Sequence, residues 1–266
     1  MLDSPRSPKV RAVAKLAKKQ RRLEAGLFLV EGPQATREAL TFRPELVNDI
    51  FLTPAAHEKN PDLVELAEQS GCEVTVASDA VIEQMADTVT PQGVVAVARY
   101  LDVTVDEVLA TGASHLVVLH EVKDPGNVGN IIRTADAAGV DAVIVTADSV
   151  DVFNPKVVRA TTGSIFHIPV VMGVELVPTI ESLKSAGVRI FAADADGTSL
   201  GQVRSEGGLS APLAWLLGNE AHGLSPEDEL LADTTVSVPM FGQAESLSLQ
   251  TAAAICIYEA AFAKNS

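Results

Sequence analysis

The sequence predicts an α/β protein of two modules, a smaller one followed by a parallel sheet with helices on its faces. Two observations carry this. Short apolar runs alternate with amphipathic stretches along nearly the whole chain, the order that a layered α/β fold requires. In the second half the apolar runs are continuous, as in Leu116-Val117-Val118-Leu119, which suits strands covered on both faces.

The first module opens on a basic segment, residues 1–26. Residues 27–30 read as a strand, 33–40 as a helix and Asp49–Leu52 as a second strand. Asn60-Pro61 starts a helix that runs to Gly71, where the glycine stops it. Glu73–Ala77 is a strand, 79–87 a helix and Val94–Val97 a strand. Residues 99–113, charged and poorer in apolar side chains, read as the junction, which gives domains at 1–100 and 114–266. In the second module the strands fall at His115–His120, 142–145, 168–171, 188–193, 213–217 and 236–238. Helices fit at about 127–138, 155–162, 178–186 and 247–262.

Composition narrows the class. The chain of 266 residues is 47% hydrophobic and 21% charged, an ordinary globular balance. No apolar run reaches the roughly 18 residues of a membrane span, and the basic N-terminus is no secretory signal. Cys72 and Cys256 stand far apart without metal-ligand spacing, so they read as reduced thiols of a cytoplasmic protein, with no metal site. The net charge is −15, yet residues 1–26 carry eight basic and two acidic side chains, or +6, which leaves −21 on the rest. Lys15, Lys18, Lys19, Arg21 and Arg22 are the dense part of that segment. A basic segment on an acidic body suits a local grip on a polyanion, with a solvated helix as the plain alternative.

Three segments differ from scaffolding, and each follows a predicted strand, where α/β sheets hold their ligands. In Asp124-Pro125-Gly126-Asn127-Val128-Gly129-Asn130-Ile131-Ile132-Arg133 a Pro-Gly turn opens a helix. Asn127 is placed to cap it or meet a ligand, and Arg133 to reach an anion at its start. In Leu217-Gly218-Asn219-Glu220-Ala221-His222-Gly223-Leu224 small residues bound a polar loop with the lone carboxylate Glu220. The third segment, Val238-Pro239-Met240-Phe241-Gly242-Gln243-Ala244-Glu245-Ser246-Leu247-Ser248-Leu249, leads into an apolar terminal helix that needs cover. The glycines form no G-x-G-x-x-G, which argues against an NAD-type site.

Together the three segments resemble the SpoU (TrmH-like) family of RNA ribose methyltransferases, within the SPOUT superfamily. The first matches N-x-G-x-x-x-R at Asn127, Gly129 and Arg133. The second matches L-G-N-E-x-x-G-L at Leu217–Leu224, and the third I-P-M-x-G-x-x-x-S-L-N-V-S at 238–250. Residues 152–160 and 163–166 are similar to the family's intervening segment. Residues 28–32 resemble the start of its substrate-binding module, itself similar to small ribosomal proteins that bind kinked RNA.

The resemblance implies a deep trefoil knot in the C-terminal domain, a homodimer and S-adenosylmethionine as methyl donor. It implies a donor pocket of Leu217, Gly218, Val238, Met240, Gly242 and Leu247. Asn127 and Arg133 would face the RNA ribose and phosphate, while Glu220 and Ser246 would order the site. Ser248 departs from the pattern, since it stands where the family has Asn, and Gln250 stands where a small residue is common. A hydroxyl is shorter than an amide and offers one donor where the amide offers two. The implied activity is 2′-O-methylation of RNA, with ribosomal RNA favoured. A non-catalytic RNA-binding or ribosome-assembly protein on the same fold, and transfer RNA as substrate, stay open as alternatives.

Overall fold

The computed structural model describes residues 1–101 and 103–265. Asp102, inside the predicted junction, and Ser266, at the end of the predicted second domain, lie outside the described residues. The chain forms two units.

The first unit comprises Met1–Leu101 and Asp151–His167. Helices α1 (Pro8–Ala14) and α2 (Lys19–Ala25) precede strand β1 (Leu27–Glu31), helix α3 (Pro33–Phe42) and strand β2 (Val47–Leu52). Helices α4 (Pro54–Lys59) and α5 (Pro61–Gln69), strand β3 (Val74–Val76), helix α6 (Asp79–Met85) and strand β4 (Val94–Arg99) follow. Proline opens α1, α3, α4 and α5, because its fixed φ suits the first helical turn and its missing N–H costs nothing there. The sheet order is β1-β4-β2-β3, with β4 antiparallel to both neighbours and β3 parallel to β2.

The second unit begins with α7 (Val105–Ala110), β5 (His115–Leu119), α8 (Pro125–Ala137) and β6 (Ala142–Thr146). The chain then runs through α9 (Pro155–Thr161), which belongs to the first unit. It continues with β7 (Val170–Val174), α10 (Leu176–Ser185), β8 (Arg189–Ser199), α11 (Leu200–Ser205) and β9 (Leu213–Leu217). Helix α12 (Pro226–Glu229), strand β10 (Thr234–Ser237) and helix α13 (Leu249–Lys264) complete it. The six strands are all parallel, in the order β10-β8-β9-β5-β6-β7.

Every residue of β5, β6 and β9 is buried, as the continuous apolar runs require. One face, with Leu116, Val118, Ile144, Ile190 and Leu216, packs on Ile180 and Leu183 of α10. Helix α13 packs on α8, α11, β8 and β9. Its Ala253, Cys256, Ile257 and Ala260 are buried. Order reverses at the β5–β9 pair, since β6 and β7 extend one way and β8 and β10 the other. The carboxyl ends of β5 and β9 therefore flank the crevice where such sheets bind ligands.

Helices α4, α11 and α12 have no counterpart in the sequence reading, β8 runs on to Ser199, and the structure departs from that reading elsewhere as well. The predicted junction holds α7. Thr104 and Glu107 form a capping box at its start, and Val103, Val105, Val108 and Leu109 pack on the second core. Of the charges that suggested a linker, Glu107 belongs to that cap, Asp106 lies in the first turn of α7 and Arg99 ends β4. The basic segment is no appendage either, because Val10, Val13 and Leu16 are buried in the first unit's core beside Leu29 and Phe51. Residues 151–167 cluster with the first unit and not the second. There Phe153 and Phe166 stack near Phe28, at 4.5 and 6.1 Å between ring centroids. Strands β7 and β10 are displaced by about a turn's slack, to Val170–Val174 and Thr234–Ser237. Pairing between β8 and β10 jumps from Ala192 to Thr198 between Thr235 and Val236, so residues 193–197 leave the ladder at the sheet's edge.

Candidate active site

The loop after β5 and the loop after β9 are tied together by one carboxylate. Glu220 accepts hydrogen bonds from the backbone N–H groups of Lys123 (3.1 Å) and Asp124 (2.9 Å) and from the Asn127 side-chain amide (3.2 Å). Burial alone would raise its pKa. The N–H groups of Asp124 and Lys123 and the Asn127 amide outweigh that, and hold the carboxyl below its usual range. Asp124, not Asn127, caps α8, accepting from the Asn127 backbone N–H at 2.8 Å. Asn127 lies inside the first turn, and its amide is free to turn toward Glu220. Both carboxylates sit where the helix dipole favours negative charge.

The β9 loop closes on itself. Asn219 and Gly223 exchange backbone hydrogen bonds at 3.0 Å each way, and the Asn219 side chain donates to the carbonyl of Glu121 at 2.9 Å. Glu121 holds φ at 55°, a left-handed conformation uncommon outside glycine and stored at sites where neighbours enforce it. The sequence reading takes Gly218 as the point where backbone meets ligand. In the structure a Cβ on Gly218 would lie 2.6 to 2.7 Å from backbone atoms of Gly223 and Leu224. The glycine is needed first by the loop's own closure. Leu217 is buried at the end of β9, and its carbonyl accepts from His120 N–H at 2.9 Å.

The third motif is irregular from Val238 to Ser248. Among the described residues, no backbone hydrogen bond joins any of residues 238–247 to another. Val238 and Leu247 are half-buried, Met240 is 39% exposed, and a Cβ on Gly242 would meet open space. Apolar side chains beside unpaired backbone N–H and C=O groups suit a ligand with both apolar and polar parts. Ser246 is exposed. Ser248 stands at the cap of α13 with its hydroxyl 2.7 Å from that of Thr251. Where the family pattern has an amide, the hydroxyl here meets Thr251 and makes no capping bond to the helix backbone.

Arg133 is not gathered into the Asn127–Glu220 cluster. It is exposed and lines a cleft of about 510 Å³ between α8 and α13 with Asn130, Gln250, Thr251 and Tyr258. Asn130 donates to Gln250 at 2.7 Å across this seam. Gln250 thus locks α8 to α13, which gives a reason for the longer side chain. Thr251 joins Arg133's cleft to Ser248. Of the basic residues, Lys15, Lys18, Lys19 and Arg21 are exposed. Arg22 is different. It is 1% exposed, forms an ion pair with Asp151, and donates to the carbonyls of Leu16 (2.8 Å) and Ala17 (2.9 Å). Its guanidinium is committed inside the first unit and is not available to a phosphate. The sequence reading missed Asp124 as cap and the Glu121 backbone. An Asp-Pro pair at a helix start was the available signal for the first, and a positive φ at glutamate leaves none.

Residues 114–258 match the SpoU rRNA Methylase family, and residues 7–96 match the MRM3-like substrate binding domain. The chain is 35% identical to the 23S rRNA (guanosine(2553)-2′-O)-methyltransferase RlmP of Bacillus subtilis, over 97% of both chains. It is 34% identical to the 23S rRNA (guanosine-2′-O-)-methyltransferase RlmB of Bordetella pertussis, over 88% of this chain and 97% of that one. Among solved structures it is similar to the SpoU methyltransferase AviRb of Streptomyces viridochromogenes in complex with AdoMet. The TM-score is 0.82 at 28% identity, covering 98% of this chain and 99% of that one. The AdoMet-bound rRNA methyltransferase of Sinorhizobium meliloti gives 0.80 at 28% identity, covering 97% and 96%. With one motif loop after each of β5, β9 and β10 of a parallel sheet, and the first two tied by Glu220, the chain belongs to the SpoU rRNA methylase family, RNA 2′-O-methyltransferases that use S-adenosylmethionine.

Proposed function

We propose that this chain methylates a guanosine 2′-hydroxyl of large-subunit ribosomal RNA, as a homodimer in the cytoplasm, with residues 1–100 recognising RNA and residues 114–266 transferring the methyl group. The observation that carries this is the Glu220–Asn127 bond, which joins two motif loops at the sheet's switch point. Resemblance to the guanosine methyltransferases over nearly the whole length, substrate-binding module included, supports the nucleoside and the RNA class.

When bound, S-adenosylmethionine supplies a methyl group already activated on a sulfonium. Val238, Met240 and Leu247 would shelter its apolar part, and the backbone at Leu217, Gly218 and Gly242 would orient it. What remains for this chain is alignment, which supplies up to roughly 7–11 kcal/mol in favourable cases. Glu220 fixes the start of α8 and turns Asn127 toward the ribose. Arg133 holds the adjoining phosphate, and Ser246 and Ser248 order the loop's end. Lys15, Lys18, Lys19 and Arg21 bind RNA phosphates.

The dimer reading is supported by what α13 leaves uncovered. Phe262 is 55% exposed, and Tyr258 opens onto the α8–α13 cleft. A second copy packed against α13 would bury both. Sedimentation is expected to give twice the chain mass at micromolar concentration, and a stable monomer would overturn this part. For the activity, ribose methylation mapped across ribosomal RNA with and without the gene is the decisive measurement. One guanosine position should lose its methyl group and regain it when the purified chain and S-adenosylmethionine are added. Loss at a transfer-RNA position alone would overturn the substrate.

A further inference from the structure

The first unit carries a cavity of about 440 Å³ for which methyl transfer has no use. It lies between α4, α6 and the loop from Val89 to Gly93. Backbone closeness shapes its wall. Gly93 holds φ at +79°, and a Cβ there would meet Thr53 Oγ1 at 2.6 Å and the Ala56 methyl at 2.9 Å. The same loop is held from behind. Glu31 accepts from the Thr88 N–H at 3.1 Å and pairs with Arg159 at 2.6 Å, while Arg159 also pairs with Asp87 at 3.0 Å. Ile82, 1% exposed, gives an apolar floor, and Val89, 96% exposed, an apolar lip.

Around this apolar centre stand Lys59, Asp79, Glu83 and Gln92. All four are exposed, and none of their side chains has a hydrogen-bond or ion-pair partner among the described residues. The volume lies in the roughly 300–1,000 Å³ range of small-ligand clefts. Two carboxylates against one ammonium disfavour a phosphate here. They suit a flat, neutral group that offers several N–H donors and a few acceptors. Guanine is that group among the nucleobases. Its N1–H and 2-amino group donate side by side, as a carboxylate accepts, and its O6 and N7 accept from an ammonium or an amide. Adenine and cytosine offer only an amino group on that edge, and uracil a single N–H.

We infer that this cavity holds an unpaired guanine turned out of the substrate RNA, so that the first unit reads a base as well as phosphates. The inference rests on the reading of the chain as an RNA methyltransferase. Sequence-specific contacts to RNA are made to unpaired bases, which expose these edges.

The test uses the whole chain and four RNA hairpins that differ only in one unpaired nucleotide: G, A, C or U. Fluorescence anisotropy is expected to give the G hairpin about tenfold tighter binding than the others. Asp79→Asn with Glu83→Gln should shrink that preference to about twofold. Removing two negative charges strengthens RNA binding in general, so the ratio among hairpins is the readout. Ala55→Phe, at an exposed position of the cavity mouth, should erase the preference with both carboxylates in place. Equal binding of the four hairpins by the unaltered chain, or a preference unchanged in both variants, would overturn the inference. Methyl transfer to ribosomal RNA in the same preparations separates the two readings. Transfer without base preference removes the guanine site alone, and base preference without transfer removes the enzymatic reading alone.

Discussion

At the scale of single residues, Arg133 and Gly218 make opposite predictions. Arg133 is exposed and lies apart from the Glu220 cluster, so Arg133→Ala should leave the fold and donor affinity nearly intact. Turnover should fall by roughly 10²-fold or more, as for a lost positioning contact. Single-turnover methylation beside donor calorimetry checks it, and retention of most activity would end the role. Gly218→Ala acts the other way. Its Cβ would collide with the backbone of Gly223 and Leu224, so the loop must open. The melting midpoint and donor affinity should drop together, with a stability loss of about 1–3 kcal/mol. An unchanged melt with weakened donor binding would restore the simpler view that Gly218 serves the ligand alone. A pattern of small residues in the sequence marks such a glycine without saying whether ligand or backbone claims the space. Glu220 was visible as a lone carboxylate, but its three partners lie 93 to 97 positions away, and no local pattern carries that.

At the scale of elements, the basic segment separates into a surface and a pin. Replacing Lys15, Lys18, Lys19 and Arg21 with glutamine should weaken RNA binding and flatten its salt dependence, by about 0.7–0.9 in slope for each phosphate lost. A slope that does not move would make the segment a solvated helix. Arg22→Gln should instead destabilise the first unit by about 3 kcal/mol, because it strands the largely buried Asp151; chemical denaturation reads this directly. Charge counting alone groups Arg22 with its neighbours. Its place in α2, past the extended break at Lys18, turns it inward, and the face that Val10, Val13 and Leu16 bury does not carry through to it. Strands were the most legible elements. Leu213-Ala214-Trp215-Leu216-Leu217 is apolar throughout and buried throughout. Short helices were the least legible. In α7 the first-turn charges of Asp106 and Glu107 outnumber the one buried side chain, Val108, and α4 has only Ala56 buried.

At the scale of the whole molecule, pH should act through His115 at the start of β5. Burial, and then the nearby Lys264 charge, push its imidazole pKa down to about 4. In the unfolded chain it titrates near 6.5, so unfolding takes up a proton between these values. The sign follows. This contribution is present above about pH 6.5 and is lost as pH falls toward 4, by about 3 kcal/mol at the lower end. His115→Gln should remove that part of the pH dependence in denaturation between pH 4 and 7, and an unaltered curve would assign it elsewhere. Glu220 adds to the same trend at lower pH, since its depressed pKa makes the site's order persist until the carboxylate is protonated. The run of chain from Asp151 to His167 has a different kind of consequence. It lies within the stretch that matches the methylase family, yet it packs its aromatic rings with Phe28 of the first unit. A chain beginning at Val103 would leave Phe153 and Phe166 bare. In hereditary terms, the catalytic half is not a cassette. A recombination that joins it to a foreign recognition module must also supply a matching seat for those rings, so the two halves are constrained to change in step.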